Sequence, residues 1–258
     1  MSLVAAPLRV DVVSLFPAMF DALESHGISG RALERGLLTL QRWNPRDQAA
    51  DAYRRVDDRP FGGGPGMVLM AEPLARTLDA IQADGNTGPV LYLSPRGRPL
   101  TQARVCELAT MASWTLLCGR YEGVDERLLA ARVDEEIAIG DFVVSGGELP
   151  AMMLIDAVVR WLPGAVQDAA SVQQDSFVDG LLDCPHYTRP EHWQGHPVPR
   201  ELMSGNHQHI ERWRRQQSLL VTARRRPDVL ERARAAGLLA LDDEVWLASQ
   251  LQIDQELR

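Results

Sequence analysis

Residues 114–127 read WTLLCGRYEGVDER, an apolar run of strand length that passes straight into a glycine-marked turn. A short apolar run bounded by turn signals is the mark of a buried strand. The same arrangement occurs on either side. Upstream, PVLYLSPRGRPL (89–100) puts a strand over Pro89–Ser94 before a turn of proline and glycine. Downstream, EEIAIGDFVVSGGELP (135–150) puts one over Glu135–Ile139 before a third such turn. LRVDVVSLF (8–16) reads as another strand, ending at Pro17, while AEPLARTLDAIQAD (71–84) and LTQARVCELATM (100–111) carry apolar residues at helical spacing. Alternation of this kind predicts an α/β fold over residues 1–165, with a mostly parallel sheet covered by helices. In such a sheet the three turns share the carboxyl ends of the strands, where ligands bind.

None of the three turns carries a phosphate cradle, so the expected ligand is not a pyrophosphate. FGGGPGM (61–67) contains a formal GxGxG, but polar YRRVDDRP precedes it and Pro65 interrupts it. A dinucleotide loop needs an apolar strand before it and a helix after it, so a tightly turning loop that lets backbone approach a ligand is the better reading. The segment LPAMMLIDAVVRWL (149–162) is apolar on every face except for Asp156 and Arg160, which predicts a helix buried in the core or in a subunit interface. Asp156 and Arg160 are four apart and share a face. They form a structural ion pair, or Arg160 faces a developing oxyanion beside the SGGE turn; the sequence leaves both open.

The 27 basic residues of this 258-residue chain are all arginine. That excludes a P-loop lysine, a Schiff-base lysine and a lysine general base. With 45% apolar and 24% charged residues the composition is that of an ordinary globular protein. No apolar run approaches the roughly 20 residues of a membrane span, and the N-terminal MSLVAAP lacks the features of a signal peptide. Three unpaired-looking cysteines (Cys106, Cys118, Cys184) fit a reducing cytoplasm. The net charge of −8 conceals a local +5 over residues 200–226, which points to a positioned polyanion contact.

Residues 166–175, within the small polar stretch PGAVQDAASVQQD, read as a flexible interdomain linker. Beyond them, helical stretches at 206–225, 227–236 and 242–257 predict a small all-helical domain over 176–258, with Pro227, Gly237 and Asp242/Asp243 as its punctuation. The His/Cys-rich segment 184–209 raises zinc, but CxH, HxxxH and HxH match no closed structural site, so no metal is assigned. Asp175 reads either as a helix N-cap or as a general base delivered when the linker orders.

Taken together, YLSPRGRPLTQ, CGRYEGVDER, IGDFVVSGGELPAM, DSFVDGLLDCPHYTRP and SGNHQHIERWRRQQ resemble the bacterial tRNA (guanine-N1)-methyltransferase family, TrmD, of the SPOUT class. The resemblance covers essentially the whole chain, with the motifs in the family's order. It implies a deep trefoil knot in the C-terminal part of the sheet domain, S-adenosyl-L-methionine (AdoMet) as methyl donor, and N1 of guanosine 37 in tRNA as target. It implies an AdoMet site of Tyr92, Leu93, Ser94, Pro95 and Gly97 from the first loop. Gly119, Tyr121 and Glu122 come from the second, and Ile139, Gly140, Val144, Ser145, Gly146, Gly147 and Pro150 from the third. Asp175 matches the family's general base and Arg160 the group that stabilises charge on O6. Arg120, Arg189, Asn206, His207, Trp213, Arg214 and Arg215 are implied tRNA contacts on the anticodon stem-loop. The family also implies a homodimer, and magnesium, for which Glu122 is the one participant offered. Gln174 stands where an acidic neighbour of Asp175 is expected. The rival readings are a non-catalytic SPOUT RNA-binding protein and a zinc hydrolase.

Overall fold

The computed structural model describes residues 6–256, so the first five residues of the N-terminal stretch lie outside it. The chain divides into two compact units, Met1–Ala169 and Ala170–Arg258.

In the first unit β1 (Leu8–Val13), α1 (Asp21–Ser25), α2 (Gly27–Glu34) and β2 (Leu38–Trp43) precede a short ladder of β3 (Asp57–Asp58) and β4 (Val68–Leu69). Then come α3 (Ala71–Ala83), β5 (Val90–Pro99), α4 (Gln102–Thr110), β6 (Ser113–Leu117), α5 (Glu126–Arg132), β7 (Glu135–Ala138) and α6 (Glu148–Val159). The main sheet has the order β2-β1-β6-β5-β7, and every pairing in it is parallel. Alternation along the central strands supplies two cores. Val10, Val12, Leu91, Leu93, Trp114 and Leu116 pack with the helices α2, α4 and α6, while Val13, Tyr92 and Leu117 pack with α3 and α5.

β2 and the far end of β5 are among the features that depart from the sequence reading. β2 went unread because only Leu38 of its six residues is fully buried: it is an edge strand with mixed polarity. β5 runs on to Pro99 rather than stopping at Ser94, with a register break at which Leu93 and Arg98 both oppose Ile137. The extra residues bulge out of the ladder and carry the first turn away from the sheet.

Asp11, fully buried on β1, accepts hydrogen bonds from Arg9 Nε (2.7 Å), Trp43 Nε1 (2.7 Å) and Asn86 Nδ2 (2.7 Å). A carboxylate with this many donors ties two strands and the turn before β5. Replacing it by alanine strands those donors, so Asp11→Ala is expected to cost about 3–5 kcal/mol of unfolding free energy in a urea titration.

In the second unit α7 (Ala169–Gln173) is followed by β8 (His192–Trp193) and β9 (His196–Pro197), then α8 (His207–Arg225), α9 (Pro227–Ala235) and α10 (Leu241–Glu256). The expected all-helical domain therefore also holds a two-residue antiparallel hairpin, closed through Gln194 and Gly195, both at positive φ. The stretch read as a flexible linker contains α7, with Val172 buried. Leu181, Leu219, Leu230, Ala233 and Leu247 form the core of this unit. Pro227 opens α9, and Gly237 (φ 67°) closes it, with Leu238 N–H donating to Ala233 O and Gly237 N–H to Arg234 O. Asp243 does not cap α10 from outside; it lies in the first turn and reaches back to accept from Ala240 N–H at 3.1 Å.

Candidate functional site

The three turns meet at the carboxyl ends of β5, β6 and β7 and enclose a cavity of about 420 Å³. Of the residues expected around a ligand, all except Gly97 line it. Gly97 faces the sheet instead: a Cβ there would lie 2.4 Å from the carbonyl carbon of Glu136 and the nitrogen of Ile137, so glycine is required for close packing on β7. The cavity also takes in Arg96, Glu126, Leu129, Phe142 and Val143, which the motifs did not single out. Leu129 and Glu126 belong to α5, a helix too short to show a period.

The second and third turns are bound to each other. Gly147 N–H donates to Gly119 O at 2.9 Å, and Arg120 bridges Gly146 through the backbone. A Cβ on Gly147 would lie 2.7 Å from the Cα of Cys118, although its φ of −76° is open to any residue. Tyr121 sits at φ 59°, a left-handed conformation that costs energy for a non-glycine residue and marks a tightly determined loop. Burial and, after it, the Glu136 carboxylate push the Tyr92 phenol above its ordinary pKa, so its O–H remains a donor beside Gly119. Burial and, after it, the Glu148 carboxylate push the Cys118 thiol well up, so it behaves as a small apolar group.

Arg120, expected among the RNA contacts, is placed at this cavity with its side chain 17% exposed. Its Nε lies 2.8 Å from Glu148 Oε2, and its Nη1 donates to Ser145 O at 3.2 Å. Arg160, expected to be buried, is half-buried at the end of α6 and is not among the cavity-lining residues. Pro150, at the other end of α6, does line the cavity; ten residues of helix rise separate the two by about 15 Å. Leu149 (49% exposed), Met153 (56%) and Asp156 form a stripe of α6 that this chain's own core leaves uncovered and that leads to Arg160, which leaves the subunit-interface alternative for this helix standing.

In the second unit Asp175 is half-buried in the turn after α7, its N–H donating to Val172 O at 3.3 Å; it caps no following helix. Among the expected RNA contacts Arg189, His207 and Arg214 are exposed. Three others do structural work. The Asn206 side chain caps α8 by accepting from Gln208 and His209 N–H. Trp213 is 9% exposed and packs edge-on against Tyr187 at 6.1 Å. Arg215 pairs with Asp179 (2.6 Å) and Asp243 (2.9 Å). Inward residues of a basic amphipathic helix look like surface residues in a one-dimensional pattern. Arg212, exposed on α8, went unselected.

Among the described residues, Asp183, Cys184 and His186 are the one group of three side chains close enough to share a metal ion. Hydrogen bonds account for the grouping: Asp183 accepts from its neighbour Cys184 N–H at 2.7 Å and meets His186 Nε2 at 2.8 Å. No helix among the described residues is long and apolar enough to cross a membrane.

Comparison with known proteins places this geometry. The family model described as tRNA (Guanine-1)-methyltransferase TrmD matches residues 8–232. The chain is 59% identical to the tRNA (guanine-N(1)-)-methyltransferase of Ralstonia nicotianae, over 94% of this chain and 93% of that protein. It is 61% identical to the protein of the same name from Thiobacillus denitrificans, over 88% of this chain and 98% of that one. With the Aromatoleum aromaticum protein of that name the identity is 56%, over 98% and 96%. A five-stranded parallel sheet whose strand-end turns close one cavity, matched to the family model over most of its length, belongs to the TrmD family of tRNA (guanine-N1)-methyltransferases.

Proposed function

We propose that this enzyme transfers the methyl group of AdoMet to N1 of guanosine 37 in tRNA, next to the anticodon. The observation that carries the reading is the cavity itself. It falls within the range of small-molecule sites, roughly 300–1,000 Å³, and combines apolar walls (Leu93, Ile137, Ile139, Val144) with glycine backbone rather than a phosphate loop. That is a fit for an adenine ring and a bent methionine chain. The stapling of the second turn to the third, and the register break in β5, support a threaded arrangement of the three loops as a deep trefoil knot.

AdoMet supplies a methyl group on a sulfonium, so no covalent enzyme intermediate is needed. The remaining work falls to the protein. Neutral guanine carries a proton on N1 and is a poor nucleophile there. Asp175 takes that proton as the N1–carbon bond forms. The charge left behind is shared with O6, where the Arg160 guanidinium stabilises it.

Arg160 and the cavity lie at opposite ends of α6, which favours a homodimer. An isologous pair packed along the Leu149, Met153 and Asp156 stripe, with the two α6 helices antiparallel, sets Arg160 of one copy beside the Pro150 end of the other. For magnesium, Glu122 and Glu126 would be the carboxylates offered at the cavity, and the one three-residue cluster among the described residues, at Asp183, includes a thiol unsuited to a hard cation. A tRNA substrate and three free cysteines support a cytoplasmic location.

The target base leaves its stack to enter the site, and exposed arginines on and near α8 hold the phosphates. Arg214→Ala is therefore expected to weaken tRNA binding and to lower the slope of log affinity against log salt by about 1, measured by filter binding. The cavity reading is tested by calorimetry with AdoMet on Gly147→Ala. Its methyl group must displace backbone, so AdoMet affinity is expected to fall by more than about tenfold. Wild-type affinity in that variant would show that AdoMet binds elsewhere.

A further inference from the structure

We propose that Glu148 is a positioning residue for the AdoMet cavity, acting through Arg120 to hold the second and third loops in their binding shape; this rests on the AdoMet reading above. Glu148 is the first residue of α6 and is fully buried. Ser14, 1% exposed at the end of β1, donates to its Oε1 at 2.7 Å. Its Oε2 faces Arg120 Nε at 2.8 Å, yet neither of those atoms has a well-directed hydrogen bond, so charge holds the contact.

Arg120 passes that constraint on. Its Nη1 grips Ser145 O, its guanidinium carbon lies 4.6 Å from the centre of the Phe16 ring, and it covers Gly146 so closely that a Cβ there would be 2.3 Å from Nε. The chain of contacts runs from the end of β1 through Ser14 and Glu148 to both cavity loops. A carboxylate removed from water is costly unless a partner compensates it. Here the partner is Arg120, which belongs to the second loop and touches the third.

Glu148→Gln keeps the volume and an acceptor for Ser14 while removing the charge. Calorimetry well below the unfolding temperature is expected to show AdoMet bound about tenfold more weakly, with tRNA binding in the absence of AdoMet unchanged. Combining it with Arg120→Gln removes the uncompensated guanidinium, so the double variant is expected to lose less than the two single losses multiplied together. A merely structural carboxylate would lower Tm and leave AdoMet affinity alone. Folded Glu148→Gln with wild-type affinity, or strictly independent losses in the cycle, would overturn the proposal. If Glu148→Gln folds poorly, Ser14→Ala decides: a loss of about fivefold is expected, and no loss is contrary. Failure of the wild-type protein to bind AdoMet is a different result, which sinks the cofactor reading instead.

Discussion

Asp175→Asn is expected to reduce methyl transfer by about 10²–10⁴-fold while leaving AdoMet affinity unchanged. The amide has the shape of the carboxylate and none of its basicity, so the comparison isolates proton removal from packing. Guanine N1 cannot present an electron pair to the methyl group until its proton leaves, and water is a poor acceptor for it. Asp175 lies in a turn, half-buried, with its backbone N–H on Val172 O. Its side chain caps no helix that follows it, and a Tm measured alongside separates any loss of packing from the loss of methyl transfer. Single-turnover rates on a tRNA transcript measure it. A rate near wild type for Asp175→Asn would remove this residue from the chemistry.

Arg160→Gln is the second large effect, expected at about 10²–10³-fold in kcat with little change in KM for tRNA. The guanidinium matters where charge develops on O6, which happens in the transition state and not in the bound substrate. The proposed dimer sharpens the test. If Arg160 of one copy serves the cavity of the other, mixing Arg160→Gln subunits with Asp175→Asn subunits gives heterodimers whose activity depends on which copy supplies each group. A kcat unchanged in Arg160→Gln would leave O6 without its proposed partner.

Much of the fold was legible because the central strands announce themselves. WTLL, VLYL and VDVV alternate between two helix layers and end at glycine or proline, so strand, turn and cavity follow from one pattern. β2 was not legible, since an edge strand with one fully buried residue has no period to read. The cavity-lining set came from motif resemblance rather than periodicity. Gly97 shows the limit of that route: it is not among the cavity-lining residues and packs against β7. Asn206, Trp213 and Arg215 have structural partners that the motifs did not show. Polar and aromatic residues on a basic helix read as surface contacts, whereas capping, ring packing and two ion pairs use them internally. Glu148 carried no sequence signal beyond its place in SGGE; only its burial beside Ser14 and Arg120 gives it a role.

The cavity is proposed to serve methylation of one nucleobase at one atom. The direct measurement is methyl transfer from labelled AdoMet to tRNA transcripts that differ only in the base at position 37, followed by nucleoside analysis of the product. 1-Methylguanosine is expected from the guanosine transcript and no transfer to the adenosine transcript. Equal transfer to adenosine, or methylation of guanosine at an atom other than N1, would contradict it.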